Sequence, residues 1–142
     1  MNAYARSAAP IADSLAALSR IDLLLALYDG ALARLGKAEM ALTNGDVPVA
    51  TPYMAKAQVI VSELAAGVRV EVDEEMGTNM LRLYEFVTHE LRTPRLANVR
   101  TATKILTTMR EGFEGIREEA NRLERSGELV TAGRMQMVLE VA

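Results

Sequence analysis

The stretch VRTATKILTTMREGFEGIREEANRL, residues 99–123, carries two rows of apolar residues seven apart. Val99, Leu106, Phe113 and Ala120 form one row; Ala102, Met109, Ile116 and Leu123 form the other. Alternating steps of three and four keep one seam of an α-helix facing its neighbours, as a long helix of an antiparallel bundle requires. Just upstream, Thr93-Pro94 reads as an N-cap followed by proline at the first helical position, where its missing N–H has no bond to lose. The pattern predicts a helix over 93–125, broken by Ser126-Gly127.

The same devices divide the rest of the chain. Ser19, with Asp22 three residues on, has the capping pattern of a helix start, and Asn44-Gly45-Asp46-Val47-Pro48 stops what it starts, giving 19–43. Thr51-Pro52 opens a second helix at 51–68, and Asp73 caps a third at 73–92. Core-facing positions read as Ile21, Leu24, Leu25, Tyr28, Leu32, Leu35 and Leu42 on the first helix, and Tyr53, Ala57, Ile60, Val61, Leu64 and Val68 on the second. The third offers Met76, Met80, Leu83, Tyr84, Val87 and Leu91. The fold class expected is all-α: an antiparallel up-down four-helix bundle in one domain spanning 1–142. A short N-terminal cap segment (1–18) and an extra C-terminal helical segment (128–141) complete it.

Composition narrows the function. Half the 142 residues are apolar but only 4% are aromatic, which favours helix packing over a β core. A net charge of −3 gives no basic surplus for nucleic acid. With no Cys and the single His89, disulfides, thiol catalysis and His- or Cys-based metal sites are excluded. Met1–Pro10 lacks the apolar core of a signal peptide, and no apolar run is long enough to span a bilayer, so the expected setting is cytoplasmic without membrane insertion. No glycine-rich phosphate loop or nucleophile–base pair is present; Asp73-Glu74-Glu75 suits a helix N-terminus electrostatically. The chain reads as a non-enzyme without cofactor, metal or catalytic residues.

The first helix is more apolar than one core stripe needs. Leu23, Leu27, Gly30 and Ala41 fall beside or opposite that stripe, interrupted by Arg34, and Ala55, Val59 and Ala66 lie off the main face of the second. There are two readings, and both can hold. The chain's own ends, 1–18 or 128–142, cover these patches; or the patches form a shallow groove for a partner helix.

Several blocks give the chain a family likeness. Asn2-Ala3-Tyr4, Leu24-Leu25-Ala26-Leu27-Tyr28-Asp29-Gly30-Ala31-Leu32, Lys56-Ala57-Gln58-Val59-Ile60-Val61-Ser62-Glu63-Leu64, Asn79 with Leu83-Tyr84, and Met109-Arg110-Glu111-Gly112-Phe113 occur in order along the helices. In these the chain resembles the flagellar export chaperones of the FliS family, with Phe113 where the family usually has Trp. The resemblance implies a cytoplasmic chaperone that binds the C-terminal helical segment of flagellin. It would prevent premature polymerisation and assist delivery to the flagellar export gate. Its groove would comprise Tyr4, Leu23, Leu27, Gly30, Ala31, Lys56, Ala57, Val59 and Ile60. Gly30, Ala31 and Ala57 would admit a partner backbone closely, and Tyr4 would act as a removable plug.

One motif points elsewhere. His89-Glu90-Leu91-Arg92-Thr93-Pro94 is similar to the phospho-accepting box of sensor histidine kinases, which gives the alternative of a phosphotransfer or regulatory helical module using His89. That reading needs one continuous helix from Met76 through Leu106; a tight turn at Thr93 removes its basis.

Overall fold

The computed structural model describes residues 19–71 and 73–126. These are all-helical: α1 Arg20–Thr43, α2 Val47–Ala66, α3 Glu74–Glu90, α4 Leu96–Gly115 and α5 Arg117–Ser126. No strand occurs among the described residues. Each of the first four helices packs on the next, and α1 also packs on α4, so the four close into a ring. Short connections make successive members antiparallel. The expected segments 1–18 and 128–141 lie outside the described residues.

Local chemistry explains the starts and stops. The Ser19 hydroxyl accepts the Asp22 amide at 3.2 Å, and the Asp73 carboxylate accepts the Met76 amide at 3.0 Å, each satisfying an amide that a helix start leaves open. Gly45 takes a left-handed φ of +73°, which reverses the chain between α1 and α2.

Three boundaries differ from the sequence reading. First, α2 begins at Val47 rather than Thr51, because Asp46 caps it by accepting the Val49 amide at 3.2 Å. Pro48 sits in the first turn, and Pro52 is inside the helix, where it removes only one intrahelical bond so near the start. Second, α4 begins at Leu96 without a side-chain cap. The Arg95 amide bonds to the Thr93 carbonyl at 2.8 Å, a γ-turn centred on Pro94 that delays the helix. Third, the helix expected over 93–125 is broken at Ile116. Gly112 and Gly115 weaken it there, and the Ile116 amide closes a four-residue 3₁₀-type turn onto the Phe113 carbonyl at 3.2 Å. The heptad survives the break, since Phe113, Ala120 and Leu123 are all buried.

At the centre, the hydroxyls of Tyr28 on α1 and Tyr84 on α3 are hydrogen-bonded across the bundle, and the Tyr28 ring lies 5.6 Å from that of Phe113. Ile21, Leu35, Val61, Val87, Val99 and Leu106 surround them. The most extensive seam, between α1 and α2, is rich in alanine: Ala31, Ala38 and Ala41 on one helix and Ala50 and Ala57 on the other are buried. Small side chains let the two axes approach. Leu83, expected in the core, is 40% exposed; Leu24, Leu32, Leu42, Tyr53, Ile60 and Met80 are only partly buried. Ala50 is a core residue hidden from the sequence reading by the late start given to α2, and Met54, within the expected helix, is a second that its expected core face omitted.

Candidate functional site

The outer edge of the α1–α2 seam holds most of the expected groove. A Cβ added at Gly30 would meet the Ile60 side chain at 3.4 Å and the Arg34 guanidinium at 3.7 Å, so glycine keeps a shallow channel where the two helices face each other. Arg34 donates to the Gly30 carbonyl at 3.0 Å, which lays its cation along that channel. Leu23, 40% exposed, and half-buried Leu27 share this flank of α1. On α2, Val59 is 63% exposed, Ile60 is half-buried, and the Lys56 ammonium stands over the Tyr53 ring, 5.8 Å from its centroid. The result is a shallow apolar strip with cations at one end.

Two expected lining residues are elsewhere. Ala31 and Ala57 have no exposed surface; they form the α1–α2 seam instead of the groove floor, because helix packing claims the smallest side chains first. Tyr4 lies outside the described residues.

Three features escaped the sequence reading. Met40, Val47 and Val49 are exposed around the α1–α2 turn, and Leu83 and Phe86 on the outer side of α3. A cleft of about 370 Å³ opens between α2 and α3, lined by Val61, Ala65, Leu81, Thr88, His89 and Arg92 among others. Gln58 bridges that seam by donating to the Thr88 carbonyl at 3.1 Å. The third is a line of ion pairs from α1 to α4 and α5: Glu39–Arg100 at 3.1 Å, Asp29–Arg110 at 2.6 Å and Asp22–Arg117 at 2.6 Å. The acidic and basic partners run in opposite directions along the two strands of the pairing, which fixes the antiparallel register. The Arg117 hydrogen bond holds the Asp22 carboxyl below its usual range, and Asp29 raises Arg110.

His89 sits on the last turn of α3, and the chain turns tightly through Leu91–Arg95 before α4 begins. The continuous helix required for phosphotransfer is not formed. Among the described residues no cluster of three or more His, Asp or Glu side chains could hold a metal, and no helix is long and apolar enough to cross a membrane.

Comparison with protein families gives a match to the model described as flagellar protein FliS, over residues 1–120. This chain belongs to the FliS family. Membership carries a chaperone role in flagellar export. The FliS match covers Tyr4, α1 to α4 and every groove position, and ends in α5 at Ala120. No curated protein matches the chain.

Proposed function

We propose that this FliS protein, acting in the cytoplasm, holds the C-terminal helical segment of flagellin along the α1–α2 strip, keeps flagellin from polymerising, and hands it to the export gate. The observation that carries this is the row of partly open apolar positions Leu23, Leu27, Gly30, Val59 and Ile60 at the edge of the α1–α2 seam. Terminal helices of a filament subunit bury their apolar faces against each other on assembly. A shallow apolar strip can take such a face first, in a helix-in-groove mode. The cations Arg34 and Lys56 at one end of the strip favour an acidic residue at that end of the incoming segment.

The test is co-expression with flagellin, followed by titration of the separate proteins. A 1:1 complex is expected, absent when flagellin lacks its C-terminal segment. Val59→Asp and Leu23→Asp put charge on exposed positions, so they should leave the helical signal intact while weakening binding at least about tenfold, roughly 1.4 kcal/mol. Full affinity in both variants would move the site elsewhere.

A further inference from the structure

The chain itself contains a segment with the length and composition to fill this strip. The FliS match stops at residue 120, yet the chain continues for 22 more residues. The first of these belong to α5, which is fastened to the first turn of α1. Arg117 pairs with Asp22 at 2.6 Å, the Glu124 carboxylate accepts the Arg20 amide at 3.2 Å, and Ala120 and Leu123 are buried. The described chain ends at Ser126, two residues past Glu124, so residues 127–142 set out from beside the turn of α1 that carries Leu23.

Their composition is unlike that of a solvated tail. Gly127–Ala142 includes Leu129, Val130, Met135, Val138, Leu139 and Val141, and its only charged side chains are Glu128, Arg134 and Glu140. A segment so apolar is favoured against an apolar surface over water. Length allows it: Leu23 to Gly30 spans roughly 10 Å of helix axis, and sixteen residues reach roughly 24 Å even as a helix. Entering beside Leu23, the segment would bring Glu140 towards Arg34, Lys37 and Lys56 at the far end of the strip.

We infer that residues 127–142 dock on the Leu23–Leu27–Gly30–Val59–Ile60 strip and occupy it until a client displaces them. As regulation of the client site this rests on the proposed function; as intramolecular docking it does not. The proximity it requires is measurable without flagellin. The chain has no Cys, so paired cysteines report contact cleanly. In the full chain, Val59→Cys with Met135→Cys should form a disulfide on mild oxidation at least tenfold faster than Phe86→Cys with Met135→Cys. Equal rates, or faster closure at Phe86, would overturn the docking. So would closure of Val59→Cys with Ala3→Cys where Met135→Cys gives none, which would assign the strip to residues 1–18. For masking, Leu139→Asp in the full chain should raise affinity for flagellin's C-terminal segment several-fold; unchanged affinity would refute competition at the strip.

Discussion

The Tyr28–Tyr84 pair permits a sharp test of how the bundle centre is held. Both side chains are almost wholly buried, 0% and 1% exposed, and their hydroxyls bond to each other across the diagonal from α1 to α3. Tyr28→Phe keeps the ring, and with it the packing on Phe113, but leaves the Tyr84 hydroxyl buried without this partner. Stranding a buried polar group costs about 1–3 kcal/mol, whereas removing both partners of a buried bond is close to neutral. Each single variant should therefore lose about 1–3 kcal/mol, and Tyr28→Phe with Tyr84→Phe should recover most of it. At roughly 3 °C per kcal/mol for a chain of this size, each single change lowers Tm by about 3–9 °C, and the double variant returns to within about 3 °C of the parent. Urea and thermal unfolding followed by far-ultraviolet circular dichroism give all four corners of the cycle. Additive losses, with the double variant the least stable, would show that the hydroxyl pair is not what links the two helices.

Other outcomes rest on the same contacts. Burial pushes the Tyr28 phenol far above its ordinary value near 10 and Tyr84 up to about 12. As pH rises, the unfolded chain then loses its phenolic protons first, so stability is complete below about pH 10 and falls towards pH 12, by up to about 1.4 kcal/mol per pH unit for each phenol. Urea midpoints across that range should show this loss in the parent and a shallower one in the double Phe variant; parallel curves would refute it. Gly77→Ala places a Cβ 2.9 Å from the Val70 Cα, a backbone atom, whereas Gly36→Ala meets nothing within 4 Å. Overpacking of about 1–3 kcal/mol outweighs the helix-propensity gain of about 1 kcal/mol at Gly77, and only the gain applies at Gly36. Denaturant midpoints should therefore move in opposite directions, and equal stabilisation would contradict the close approach. Asp29→Asn removes the partner of Arg110, but with the Asp29 side chain 57% exposed the cost should stay below about 1 kcal/mol and shrink further in high salt. A larger, salt-insensitive loss by the same denaturation assay would mean that the ion pair is more than a register device.

What the sequence disclosed depended on how local the signal was. Caps that act within one turn, Ser19 on Asp22 and Asp73 on Met76, sit where they were read. The heptad from Val99 to Leu123 marks six buried positions, with Met109 and Ile116 partly buried, even across the break at Ile116. Proline was harder: Pro52 and Pro94 look alike after a threonine, yet one lies inside α2 and the other centres the turn before α4. What separates them is the preceding chain, since Asp46 had already capped α2. The ion pairs from α1 to α4 and α5 join residues 61 to 95 apart, so no local window contains them. Their trace is the ordered spacing of Asp22, Asp29 and Glu39 against Arg100, Arg110 and Arg117. At the strip, helical periodicity located exposed Leu23 and Val59, but residue size misled at Ala31 and Ala57.

The burial of Ala31 and Ala57 shows which side of α1 the packing against α2 seals. Ile21, Leu25, Tyr28 and Leu35 face the core; Ala31, Ala38 and Ala41 are buried in the helix most extensively packed on α2; Asp22, Asp29 and Glu39 pair with arginines of α4 and α5. Leu23, Leu27 and Gly30 share a flank of α1 that the described bundle leaves partly open, and at Gly30 the neighbour across the seam is Ile60. Had alanines lined the strip, close approach of a partner backbone would have been its attraction. With the alanines sealed inside, Gly30 alone supplies close approach, and Leu23 and Val59 supply the apolar area. On the proposed reading, an occupant would be held mainly by side-chain burial on the flanks, a contact that is strong in sum and low in sequence specificity. Such a surface suits a segment that must be held and then released, and it is equally open to the chain's own apolar residues beyond Ser126.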